Sequence, residues 1–349
     1  MFKEYKIIDA DAHTIEPIGI WGKYLNPAYK SFAPSPDLTI KGESIYYQIS
    51  DRVKGKMSLS NNFDAEAQVR AMQQMGIDRS LIYPTYGLWL LAIDSMPPQL
   101  AQEFVLAYNN WLRDFCSYDP YMLGGVGLVN LHEPEDLVPE VQRIAKFGWK
   151  AVCLLPNPVK GRILSNPAYE PFWAECERLG IAVGIHTAAH CRLPATGADR
   201  FNTHFSLHAC AHPMEQMMAL LALIEGGVLE RYPKLRVGFL ESGCGWLPYW
   251  LCRLDKEYEE LYWEVKNNIK MKPSDYFRRQ CFIEMEPCEP YIDRIIDYIG
   301  ADNLIFGSDY PHLDRDIHAV NKAVALAEQL DPKIVSKILW DNPARFYGI

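Results

Sequence analysis

Ile7-Ile8-Asp9-Ala10-Asp11-Ala12-His13, near the amino terminus, reads as the end of a strand in which Asp11 and His13 stand two residues apart. Residues two apart in an extended strand point to the same side, so Asp11 and His13 can face one ion together. The construction returns twice. Ile181-Ala182-Val183-Gly184-Ile185-His186 stops at a histidine, and Asn303-Leu304-Ile305-Phe306-Gly307-Ser308-Asp309 stops at an aspartate.

Outward from these stretches, short apolar runs alternate with longer segments of helical period. Candidate strands are Tyr5–Asp11, Ser80–Pro84, Gly124–Leu131, Lys150–Leu155, Ile181–His186, Arg236–Glu241, Cys281–Glu284 and Leu304–Gly307. Helices are expected over Asp64–Met75, Pro98–Asp119, Glu133–Phe147, Pro167–Leu179, Met214–Arg231, Leu247–Glu264, Pro290–Ile299, His318–Gln329 and Pro332–Trp340. Strand-then-helix alternation implies a parallel sheet, and eight units favour a closed (β/α)8 TIM barrel of the α/β class over an open doubly wound sheet. Asp11–Pro17 contains no glycine, which removes the dinucleotide fingerprint expected there in the open fold. The 349 residues fit one barrel domain, 1–349, without repeat or linker. Residues 31–62 interrupt the alternation and, around Lys41-Gly42-Glu43, read as a small β-hairpin inserted after strand one, at the pocket mouth.

Composition narrows the function classes. Apolar residues make up 49% and charged residues 23%, enough for a large core. The net charge of −9 argues against nucleic acid or an anionic membrane as partner. No export signal or membrane-spanning run is visible, and nine scattered cysteines without a CxxC pair read as reduced thiols, so the expected location is cytoplasmic.

In a barrel of this kind the carboxyl ends of the strands surround one site. Asp11 and His13 after strand one, His186 after strand five and Asp309 after strand eight thus make a four-ligand set for one divalent metal. Each alone has an ordinary reading: a strand-end aspartate often caps a helix, and a lone histidine is usually a satisfied core residue. Their joint placement is what argues for a site.

Asp11-Ala12-His13-Thr14-Ile15-Glu16-Pro17, His186, Glu241-Ser242-Gly243-Cys244-Gly245-Trp246-Leu247-Pro248, Phe306-Gly307-Ser308-Asp309-Tyr310-Pro311-His312 and Asn342-Pro343-Ala344-Arg345 together resemble the amidohydrolase-related (amidohydrolase 2) branch of the amidohydrolase superfamily. That branch includes aminocarboxymuconate-semialdehyde and γ-resorcylate decarboxylases. The resemblance implies a distorted barrel with one metal, zinc or manganese, at the four positions above. It also implies a homodimer, with Arg253 meeting a substrate carboxylate across the interface; the ordinary reading of Arg253 is an ion pair with Asp255 or Glu257.

Departures from the family pattern bear on mechanism. Many members open with His-x-His, whereas Asp11 makes this set harder and manganese a rival to zinc. Strand four has its lysine, Lys150, at the wrong end for a bridging carboxylated lysine, so a single metal follows. The histidine that decarboxylases of the branch carry after strand six is replaced by Glu241 or Ser242, and Glu241 could handle a proton, hook substrate or orient a neighbouring histidine. His190, His204, His208 and His212 follow strand five. The last three are spaced for one helical face, and one of them, His212 above all, could supply the missing proton donor. Pro213 places His212 at a helix boundary. Trp21, Tyr86, Trp89, Trp246 and Phe282, with His190 and His208, could wall a pocket for a small carboxylic acid, although core packing is the default for any aromatic.

Three functions remain open: a metal-dependent decarboxylase of an aromatic or unsaturated acid, with Asp309, Glu241 or a loop histidine as proton donor; a hydrolase using the same ligands to activate water, with Asp309 as base; and a barrel that binds a small acid without turning it over.

Overall fold

The structure is a computed structural model that describes residues 5–45, 64–188, 192–312 and 318–349. Its centre is an eight-stranded parallel sheet formed by β1 (Ile8–His13), β4 (Arg79–Tyr83), β5 (Leu123–Leu128), β6 (Ala151–Leu154), β7 (Ala182–Ile185), β8 (Val237–Phe239), β9 (Cys281–Met285) and β10 (Leu304–Phe306), each paired with the next. All eight strands expected from the sequence are present. Most of them read as apolar runs because helices cover the outside of a parallel barrel while side chains fill its inside; β1, with buried Asp9, Asp11 and His13, is the clearest exception.

The ring is completed beyond the strand ends. The Asp309 N–H donates to the Asp11 carbonyl at 2.8 Å and the His13 N–H to the Tyr310 carbonyl at 2.7 Å. Beneath them the buried Asp9 carboxylate accepts from the Ser308 N–H at 2.8 Å and the Ser308 hydroxyl at 2.6 Å. The pairing register of β1 shifts between Asp9 and Ala12. This is the distortion the family resemblance implied.

The short strands β2 (Thr39–Ile40) and β3 (Glu43–Ser44) form the expected hairpin. Lys41 and Gly42 both adopt positive φ (49° and 84°), the two-residue turn whose twist matches the strands. The remainder of the 31–62 insertion, from 46 on, lies outside the described residues.

The helix after β7 departs furthest in extent from its expectation. The segment expected over Met214–Arg231 begins ten residues earlier, as His204–Glu225, and resumes as Val228–Arg231. Thr203 caps its start by accepting the Ser206 N–H, and Pro213 lies inside it. A proline there removes one backbone bond, yet Leu207, Ala211, Ala219, Leu220 and Leu223 bury one side of the helix on both flanks of the break. His212 is therefore within a helix, not at its edge.

The carboxyl-terminal helix Asn342–Tyr347 closes the barrel from below. Tyr347 hydrogen-bonds the Ala10 carbonyl at 2.5 Å and the Tyr83 hydroxyl at 2.9 Å. Gly184 is small of necessity, because a Cβ there would stand 2.3 Å from the Tyr83 hydroxyl. Among the described residues no helix is long and apolar enough to cross a membrane, and the eight described cysteines are free.

Candidate metal centre and active site

Asp11, His13, His186 and Asp309 converge at the carboxyl ends of the strands, all essentially without exposed surface. His13 Nε2 stands 3.0 Å from His186 Nε2, 3.5 Å from Asp11 Oδ1 and 3.3 Å from Asp309 Oδ1. His186 Nε2 is 3.6 Å from Asp11 Oδ2. Donors ~2.1 Å from a common ion and at right angles to one another would be ~3 Å apart, so spacings of 3.0 to 3.6 Å are compatible with these groups holding one ion.

The tautomers point the same way. His13 Nδ1 donates to the Pro84 carbonyl at 3.0 Å and His186 Nδ1 to the Thr187 carbonyl at 2.8 Å. As neutral imidazoles, both rings then turn a bare Nε2 lone pair toward the other, an arrangement that a cation between them relieves. The Asp11 carboxyl adds a second argument. Burial, together with the negative charges of Glu284, Asp309 and Glu241, pushes its pKa well above the ordinary carboxylate range. A divalent cation fits this donor set.

Glu241 follows β8 with φ +52°, and Asp309 follows β10 with φ +53°. Such backbone is costly for a residue with a side chain and recurs where a side chain is re-aimed at a site. Glu241 is fixed at both backbone ends: its N–H donates to Glu284 Oε2 at 2.7 Å, and its carbonyl accepts from His212 Nδ1 at 2.7 Å. Its carboxylate Oε2 lies 3.1 Å from His186 Nε2. The side chain thus reaches the donor-facing nitrogen of His186, while the backbone carbonyl orients His212.

His208 stacks on His212 with centroids 4.3 Å apart, and His204 follows at 5.5 Å, so the three imidazoles form a column leading outward from Glu241. Trp246 enters the helix Leu247–Glu260 from a loop pinned by Glu289, whose carboxylate accepts the N–H groups of Cys244 and Gly245. His190 lies outside the described residues.

Three expected pocket residues are placed elsewhere. Trp21 is fully buried edge-on to Phe104 and belongs to the core. Phe282, second residue of β9, packs on Phe346 and beneath the Arg345 guanidinium at the barrel floor. Arg253 is exposed and paired with Glu257 at 2.5 Å, so within one chain it takes its ordinary reading. In each case strand or helix phase set the direction, which a position near a motif did not reveal.

Two groups at the site went unassigned in the sequence. His312 donates Nδ1–H to Asp309 Oδ1 at 2.7 Å, contacts Thr85 Oγ1 through Nε2 at 2.9 Å, and stacks on the His13 ring at 4.1 Å. Glu284 is fully buried beside Asp11. Its signal was available, since Cys281-Phe282-Ile283-Glu284 is another apolar run ending in a carboxylate. Among the described residues, the donor groups close enough to share an ion are Asp11, His13 and His186, and His13, Asp309 and His312.

The sequence profile of the family described as Amidohydrolase matches residues 8–349. This chain belongs to the amidohydrolase family. The amidohydrolase is 25% identical over 258 residues to the 2-amino-3-carboxymuconate-6-semialdehyde decarboxylase of Dictyostelium discoideum, covering 72% of this chain and 68% of that protein. It is 24% identical over 278 residues to the gamma-resorcylate decarboxylase of a Rhizobium species, covering 75% and 82%. A solved structure of 5-carboxyvanillate decarboxylase from Novosphingobium aromaticivorans, complexed with manganese and 4-hydroxy-3-methoxy-5-nitrobenzoic acid, shares the fold with a TM-score of 0.77 at 20% identity, over 99% of this chain and 97% of that one. Family and relatives make this protein a metal-dependent enzyme.

Proposed function

We propose that this amidohydrolase removes carbon dioxide, without oxidation, from a small aromatic or unsaturated carboxylic acid, using one divalent metal held by Asp11, His13, His186 and Asp309. The facing Nε2 atoms of His13 and His186 carry the metal assignment. The activities named for its relatives support the reaction class. Zinc and manganese both suit two imidazoles with two carboxylates, and the oxygen-rich half of the set favours manganese more than a three-histidine site would.

When bound, the ion supplies a Lewis acid for a substrate carboxylate or an adjacent oxygen. The chain's residues handle the proton. As the carbon–carbon bond breaks, its electron pair stays on the substrate carbon, a carboxyl proton takes the vacated position, and carbon dioxide leaves. Asp309, which accepts the His312 Nδ1–H, would take up the proton that the substrate acid gives up on binding and then deliver it to that carbon. Glu241, with its backbone held by Glu284 and His212, is the second proton carrier. The reading makes the active unit a cytoplasmic homodimer, in which the exposed Arg253 serves the substrate carboxylate of the neighbouring copy.

Hydrolysis of a C–N, C–O or C–C bond is the second reading, favoured by one feature: Glu241 stands where decarboxylases of the branch carry a histidine. The test is an assay of manganese- and zinc-loaded protein against hydroxybenzoic and dienoic acids in 18O-water. Metal-dependent carbon dioxide release that Asp309→Asn abolishes supports decarboxylation. Solvent oxygen in the product without carbon dioxide release would replace it with the hydrolytic reading.

A further inference from the structure

The opposite end of the barrel carries a cleft of about 260 Å³ walled by cations and aromatic rings. Arg79 is the first residue of β4 and Lys150 immediately precedes β6, so in a parallel barrel both stand at the amino-terminal face, away from the metal centre. Arg113, from the helix Pro98–Cys116, lines the same cleft, with Phe147 and Trp149 as its apolar walls.

Three cations here run against a chain in which 44 acidic residues outnumber 35 basic ones. Among the described residues no carboxylate comes within 4.0 Å of Arg79 or Lys150. Arg113 has only the neighbouring Asp114, at 3.8 Å, with both side chains about half exposed. The Arg79 Nε atom is buried and has no hydrogen-bond acceptor among the described residues. A buried guanidinium N–H left unmatched costs on the order of 1–3 kcal/mol, and among the described residues neither Arg79 nor Lys150 has a side-chain carboxylate that offsets its charge, although Ile349 also lines the cleft. The Arg113 guanidinium lies 5.0 Å over the Phe147 ring, which holds its plane against an apolar wall.

We infer that this cleft is a second binding site, distinct from the metal centre, for a small aryl carboxylate. Guanidinium groups match a carboxylate in planar, two-pronged fashion, and Phe147, Trp149, Leu81 and Pro120 give the apolar lining against which an aryl ring packs. The volume is ample, since a cavity of roughly 150 Å³ accommodates benzene. An occupant would tie β4, β6 and the helix Pro98–Cys116 together from below and so stabilise the folded barrel. The inference stands independently of which reaction the metal centre performs.

Titration calorimetry with benzoate, and separately with inorganic phosphate, on manganese-loaded protein tests it. Benzoate binding should persist in His186→Ala, weaken at least about tenfold in Arg79→Gln and Lys150→Gln, and exceed phosphate binding. Lys150 is exposed, so Lys150→Gln retains its fold even if Arg79→Gln does not. Both cleft variants should keep the basal turnover of the metal centre. Benzoate binding that vanishes in His186→Ala, that ignores both cation variants, or that is absent at ~10 mM overturns the site, and phosphate binding as tightly as benzoate overturns its aryl specificity.

Discussion

His312 Nδ1 lies 2.7 Å from Asp309 Oδ1, and the same imidazole stacks 4.1 Å from the ring of His13. One side chain thus touches two of the four proposed metal ligands, from a position three residues after Asp309. Partners of this kind typically account for 10- to 100-fold in metal affinity or activity. His312→Ala should therefore lower manganese affinity, read by chelator competition, by roughly that factor, with His312→Asn recovering part of it. Unaltered affinity in the alanine variant would remove His312 from the site.

The ligands themselves should be all-or-none. His186→Ala and Asp309→Asn are expected to abolish turnover and metal retention while the protein stays soluble, checked by elemental analysis and circular dichroism. Wild-type protein should retain about one equivalent of zinc or manganese per chain, the number this single donor cluster can hold. Near-normal turnover in either variant would end the assignment.

Glu241→Gln separates a proton carrier from a structural prop. The amide keeps the backbone bonds to Glu284 and His212, because those use the N–H and carbonyl of residue 241. A fall in kcat of about 10²-fold or more, with metal content unchanged, is expected for a residue that moves a proton. A loss of metal with kcat per bound metal preserved would make it a ligand instead.

Glu16 gives a pH signature in stability. It is buried and accepts the N–H groups of Thr85, Tyr86 and Gly87 at 3.1, 2.8 and 2.9 Å, yet burial outweighs these bonds and pushes its pKa from 4.5 up to about 6. The folded state then binds the proton more tightly than the unfolded state. Its contribution is full below about pH 4.5 and is lost as pH rises through about 6. Wild type should thus lose about 2 kcal/mol relative to Glu16→Gln between pH 4 and pH 7, measured by urea unfolding. A pH-independent difference between the two proteins would contradict it.

Gly184→Ala should destabilise the barrel by about 1–3 kcal/mol, because its Cβ would collide with the Tyr83 hydroxyl that joins Tyr347 to the barrel interior. Thermal unfolding provides the check, and an unchanged midpoint would mean the floor can shift.

The sequence by itself determined the barrel, because it is written in local periodicity: most of the buried parallel strands are apolar runs, and a polar residue that ends such a run stands at the rim, which is what singled out the proposed ligands His186 and Asp309. It did not determine side-chain direction away from the strands, which is why Trp21, Phe282 and Arg253 were candidates for a pocket and proved to be core, floor and surface in the single chain. Nor could it foresee that Asp9 would clamp Ser308, that His312 would return onto Asp309, or that Pro213 would lie inside a helix. Those outcomes depend on contacts between segments far apart in the chain, or on burial strong enough to override a local preference, and only closing the barrel brings such forces into play.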